Sequence, residues 1–120
     1  MARQSPQVKK DALLGELATV RQKIFERSRQ IDPTQVNEAF VGHWSIMELL
    51  AHLEGWDHAN QEAAEAIMAG RLPAFYDHAG QDWSEFNRRL VRRHRRPDLQ
   101  RMLAAVMESH KEFLAYMETI

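Results

Sequence analysis

The stretch Ser45-Ile46-Met47-Glu48-Leu49-Leu50-Ala51-His52-Leu53-Glu54-Gly55-Trp56-Asp57 decides the fold. Its first four residues form a capping box, in which the Ser45 hydroxyl and the Glu48 carboxylate each satisfy a backbone donor that a helix leaves open at its start. Ile46, Leu49, Leu50, Leu53, Trp56, Ala64 and Ile67 then fall on one side of a helix. That helix runs to about Ala69, where Gly70 supplies a C-terminal cap.

Working outward, helices continue in both directions. Ser5-Pro6 opens a first helix, with serine accepting free N–H groups and proline at a position that needs no donor. Leu13, Leu17, Val20, Ile24, Ser28 and Ile31 recur at steps of four and three, close to the heptad period of bundles. Asp32-Pro33 ends this helix, and residues 34–44 form a connector with a short turn around Gln35–Ala39. Downstream, residues 71–80 are a loop, and Asp82-Trp83-Ser84-Glu85 repeats the capping logic. Trp83, Phe86, Leu90 and Val91 line the helix that follows; Pro97 either kinks or ends it. A final amphipathic segment runs from about Asp98 to Thr119 through Leu99, Met102, Leu103, Val106, Phe113 and Met117. No period-two strand pattern and no internal repeat occurs, so the class is all-α, a helix bundle.

Composition sets the outer bounds. A chain of 120 residues fits one domain, spanning 1–120, and 44% hydrophobic residues give it a core to bury. A net charge of −1 argues against a bulk nucleic-acid binder. The absence of cysteine removes disulfides, thiolate metal sites and thiol nucleophiles together. No apolar run is long enough to span a membrane, and the start lacks the apolar stretch of a signal peptide, which points to a soluble cytoplasmic protein. Phosphate-binding glycine loops, GxSxG, HExxH and calcium loops are all missing.

The six histidines sort by helix face. His58 falls opposite the apolar centre beside Glu54, Glu62 and Glu65, as an exposed histidine on a solvated face, although the Glu54-His58-Glu62 column has the i,i+4 spacing to clip a metal. His43 and His78 lie in connectors. His52 sits on the flank of the stripe, one turn before Trp56, while Asp57 and Asn60 project toward the apolar centre. An unpaired polar group there costs about 1–3 kcal/mol. His94 and His110 also fall near the middle of their stripes. Three segments thus each aim one histidine inward, as bundles do when they build metal and acid–base sites. The plainer alternative keeps each histidine as a packed residue with one hydrogen bond and pairs Asp57 with an arginine. Six arginines between Arg88 and Arg96 spread over the face opposite Trp83, Phe86 and Leu90, either a solvated face that neutralises glutamates on a neighbouring helix or subunit or one that receives phosphate or an acidic partner.

The run His43-Trp44-Ser45-Ile46-Met47-Glu48-Leu49-Leu50-Ala51-His52-Leu53, followed by Gly55-Trp56-Asp57, resembles the DinB-like superfamily of four-helix bundles. Gly70-Arg71-Leu72-Pro73, Asp82, Phe86-Asn87 and a long interrupted third helix are similar to its DfsB/ClbS branch, and the likeness covers roughly residues 10 to 119. The resemblance implies an up-and-down bundle of three long helices, the third kinked or split near Pro97. It also implies a divalent metal, nickel or zinc, held by three histidines, of which His52 matches the second-helix ligand. Family activities include thiol transfer, isomerisation and hydrolysis.

The family's other two ligands form an HxxxH beyond the helix ending near Ile120, a motif this sequence does not contain. Two functions follow. One is a homodimeric association or small-molecule-binding module with a degenerate or partner-completed site and an uncovered apolar groove. The other is a metal-dependent hydrolase or thiol transferase using His52 with His94 or His110, and a pocket of Trp56, Asp57 and Asn60. Neither involves nucleic acid or a membrane.

Overall fold

The computed structural model describes residues 5–39, 44–73 and 83–120. It contains four α-helices and no strand among these residues: α1 (Pro6–Arg29), α2 (Ile46–Met68), α3 (Ser84–His94) and α4 (Leu99–Glu118), with a 3-10 turn at Pro33–Gln35. None of these helices is long and apolar enough to cross a membrane. The chain divides into two compact units, one through Ile31 and one from Asp32 to Ile120.

The first unit is α1. Ser5 caps it, its Oγ accepting the Val8 N–H at 3.1 Å, and Pro6 occupies the first turn as the sequence predicts. Ser28 turns its hydroxyl back onto the Ile24 carbonyl at 2.7 Å, which spares this polar member of the stripe an unmet donor. Leu13, Leu17 and Val20 of the same stripe are exposed.

In the second unit α2 is the shared element, packing against both α3 and α4. Both arms of the capping box form: Glu48 N–H donates to Ser45 Oγ and Ser45 N–H to Glu48 Oε1, each at 3.2 Å. The connector joins this end through a Met47 N–H to Val36 carbonyl bond of 3.2 Å. At the other end Gly70 takes φ +76°, and Arg71 N–H reaches back to the Ala66 carbonyl at 2.8 Å. That is the left-handed residue and long return bond of a helix C-terminus. Met47, Leu50, Met102 and Val106 are fully buried and form the centre of the core.

Two sequence expectations resolve further on. The 3-10 turn lies at Pro33–Gln35, slightly ahead of the predicted Gln35–Ala39, because Asp32 Oδ1 accepts both the N–H and the hydroxyl of Thr34 at 2.9 Å and starts the turn there. The same bonds hold the Asp32 carboxyl below its ordinary pKa. At Pro97 the chain breaks: α3 ends at His94, Arg95 is extended, and Asp98 caps α4 by accepting the Arg101 N–H at 2.8 Å. Asp82 lies outside the described residues; the cap position of α3 is Trp83, which makes no side-chain capping bond.

Gly55 sets the spacing of α2 and α3. A Cβ built on it would stand 2.7 Å from Leu90 Cβ, nearer than carbon atoms approach, so α3 lies this close only because residue 55 has no side chain.

Candidate metal centre

The buried face of α2 lies roughly a quarter turn from the centre that its large apolar residues predict. It runs through Met47, Leu50, Ala51, Glu54 and Gly55, leaving Leu49 and Leu53 half-buried. Glu54, read as part of a solvated face, is therefore 3% exposed and meets the end of α3. One of its oxygens, Oε1, faces three nitrogen groups: Arg96 Nη2 at 2.8 Å, His94 Nδ1 at 3.3 Å and His58 Nε2 at 3.7 Å. The other, Oε2, is buried with no hydrogen-bond partner. Leaving such an atom unmet costs on the order of 1–3 kcal/mol, and more when it carries charge.

The His58 and His94 rings stack, with centroids 5.2 Å apart and planes 15° from parallel. One ligand atom from each of Glu54, His58 and His94 lies within 4.8 Å of the others. Burial lowers the pKa of His94; the Glu54 charge raises it, and His58 and Arg93 push it down again. The net result favours the neutral imidazole, the form that offers a lone pair to a metal. A carboxylate and two imidazoles are a borderline donor set that suits zinc or nickel. Arg96, bonded to Glu54, donates also to the His94 carbonyl.

His52 belongs to a different constellation. The indole N–H of Trp56 lies 2.8 Å from Asn87, and since it can only donate, the atom it meets is the amide oxygen Oδ1. The same oxygen lies 3.1 Å from His52 Nε2, which must therefore carry a proton. His52 Nδ1 is then left as a buried acceptor without a partner. The ring meets Trp44 edge-on at 4.7 Å, and burial lowers its pKa against the opposing effect of Asn87. His52 thus helps join α2 to α3 through Asn87, while Trp56 packs on Phe86 at 5.2 Å and Trp83 at 5.9 Å.

The remaining predicted site residues separate in the same way. Asp57 is buried, as expected, and accepts the Ser109 hydroxyl at 2.7 Å across the α2–α4 contact. Asn60 is exposed, because the quarter-turn shift carries it out of the buried sector. His110 is half-buried on α4. Among the described residues, the group that could hold a metal includes His94 but neither His52 nor His110. His43 and His78 lie outside the described residues.

An open cavity of about 900 Å³ adjoins the cluster, lined by Glu54, His58 and His94 and floored by Phe86, Leu90 and alanines of α2. The arginine run divides around it. Arg88, Arg89 and Arg92 sit 3.1, 3.5 and 3.4 Å from Glu85 of their own helix, a solvated face, whereas Arg93 and Arg96 line the cavity.

The sequence carried one signal for this centre that its apolar pattern hid. A glycine inside a helix costs roughly 1 kcal/mol against alanine and usually marks a close approach. Gly55 directly follows Glu54. Comparison with known protein families, characterised proteins and solved structures finds no match to this chain.

Proposed function

We propose that the chain is a divalent-metal-binding helical domain acting on a small molecule, with Glu54, His58 and His94 as the ligands. The observation that carries this reading is Glu54: a buried carboxylate with one oxygen unpartnered, set against two stacked imidazoles. Zinc or nickel would satisfy that donor set, and three protein ligands leave a coordination position for substrate, the arrangement of catalytic sites. When bound, such an ion supplies Lewis acidity near neutral pH. The protein's own residues do the rest. Arg96 holds Glu54 in place, burial keeps His94 neutral, and the apolar floor of Phe86 and Leu90 excludes water from one side of the cavity. Metal-assisted hydrolysis or thiol transfer, the activities suggested by the DinB-like resemblance, is the reaction class that fits.

Elemental analysis after dialysis against zinc or nickel tests the reading. Near-stoichiometric metal that is lost in Glu54→Met and in His94→Ala, and kept in His52→Ala, is the expected result. Metal lost in His52→Ala but kept in Glu54→Met would return the ligand role to the second-helix histidine of the resembled family. A second reading, association with a second copy of the chain, rests on the exposed heptad-spaced Leu13, Leu17 and Val20 of α1. A monomer by light scattering at micromolar concentration would end it.

A further inference from the structure

The charge lining the cavity goes beyond metal binding and bears on what the metal meets. Arg71, Arg93 and Arg96 face the same space as Glu54, Glu62 and Glu65, so the arginine and glutamate charges of the lining balance. A divalent ion at Glu54 would leave this wall two positive charges in excess. Of the three arginines, Arg96 is held by Glu54, while Arg71 and Arg93 form no ion pair with any described residue. Arg93 acts on His94 through its charge, which places it beside the ligand cluster. Beyond these charges the surface turns apolar at Phe86, Leu90 and Ala59.

We infer that the cavity takes a small organic oxyanion, its charged head between the metal and Arg93 and its apolar body over Phe86 and Leu90. A planar guanidinium grips a carboxylate or a phosphate-like head through paired N–H donors, and a ligand that neutralises a positive, partly desolvated wall gains more than a neutral one of the same shape. A volume of about 900 Å³ admits a ligand of ordinary metabolite size. Arg88, Arg89 and Arg92 are engaged by Glu85 and take no part.

This inference rests on the metal reading, and cobalt separates the two. The full chain is loaded with Co²⁺, whose visible absorption reports ligands in its coordination shell, and titrated with benzoate, phenylphosphonate and, as the uncharged control, benzamide. Benzoate, phenylphosphonate or both should change the spectrum saturably, and whichever does so identifies the head group; benzamide should not. Arg93→Gln should keep the cobalt spectrum and weaken the anion at least about tenfold, the usual scale for a charge-assisted pair, while Arg88→Gln leaves it unchanged. A protein that binds Co²⁺ but responds to neither anion, or to benzamide equally, overturns the oxyanion inference alone. Equal anion affinity in Arg93→Gln overturns it too. Failure to bind Co²⁺ at all overturns both readings.

Discussion

Glu54 and Asp57 lie three residues apart on one helix, both buried and both acidic, and the protein treats them oppositely. Asp57, facing α4, receives the Ser109 hydroxyl at 2.7 Å, and neither of its oxygens is left buried without a partner. Glu54, facing α3, crowds Arg96, His94 and His58 around one oxygen and leaves the other unmet. A carboxylate that serves only to join helices is best satisfied completely, since a half-satisfied buried polar group destabilises the fold. The Asp57 side meets that standard. The Glu54 side departs from it where imidazoles converge, and functional sites are where such departures collect.

The sharpest way to break this contrast is to remove each carboxylate in turn. Glu54→Met should lower zinc affinity at least a hundredfold, beyond the 10–100-fold typical of losing an outer-shell partner. In chelator it should still fold, at a cost of about 1–3 kcal/mol, because Arg96 and His94 lose their carboxylate partner while the unmet Oε2 is removed with it and Arg96 is partly solvated. Calorimetric zinc titration and urea unfolding in chelator measure the two halves. If Glu54→Met unfolds readily while metal binding survives, the two carboxylates play the same structural part.

Asp57→Ala is the mirror experiment. It removes a buried, charge-assisted bond and should cost about 2 kcal/mol of stability in chelator, read from the urea midpoint. Zinc affinity should change by less than threefold, since the Asp57 bond to Ser109 ties α2 to α4, on which none of the three ligands lies. A metal defect as large as that of Glu54→Met would mean that the α2–α4 contact positions the centre.

How much of this the sequence discloses follows from what each signal depends on. Helix ends are local: Ser5-Pro6, the Ser45/Glu48 box and Gly70 can each be read from a few neighbouring residues, and each caps its helix as the residues suggest. The buried face of α2 is not local. Leu49, Leu53 and Trp56 are its bulkiest apolar residues and draw the expected centre toward themselves, yet packing against two helices buries Ala51, Glu54 and Gly55 more deeply. That quarter turn hides Glu54, exposes Asn60 and makes His58 look like a mere surface residue. His94 is legible as an inward histidine, but its level along α2 depends on where α3 stops, and Pro97 only brackets that point. His52 is legible as a histidine beside the apolar stripe, and its reading as a ligand comes from the family resemblance; that Asn87, 35 residues away, engages it cannot be read from spacing.

Gly55→Ala sharpens the comparison at its geometric root. The added methyl would meet Leu90 Cβ at 2.7 Å, so α3 must shift or tilt. Overpacking of this kind costs about 1–3 kcal/mol, offset by about 1 kcal/mol of helix propensity, leaving a modest net loss of stability. The metal centre should suffer more than the fold, because His94 moves with α3 while Glu54 and His58 stay on α2. Zinc affinity about tenfold weaker, with Asp57 and Ser109 still protected in hydrogen exchange, is the expected pattern. Unchanged affinity would show that His94 reaches Glu54 without the close approach.

The smallest effect expected is a pH dependence carried by His52. Burial lowers its pKa in the folded chain below the ordinary 6.5, against a weaker upward contribution from Asn87; the rings of Trp44 and Trp56 beside it carry no charge. The unfolded chain therefore binds a proton before the folded one does. Stability from this residue is complete above pH 6.5 and is lost as pH falls from there through the folded value. His94 shifts in the same direction, so the isolating experiment is a difference: urea unfolding of the parent and of His52→Gln in chelator, from pH 7.5 down to 5. Glutamine can still donate to Asn87 Oδ1 but cannot titrate. The parent should lose stability faster than the variant below pH 6.5, by no more than about 1.4 kcal/mol per pH unit, the limit for one proton. Parallel curves would mean that His52 takes up its proton in the fold as freely as in water, its protonated Nδ1 meeting an acceptor.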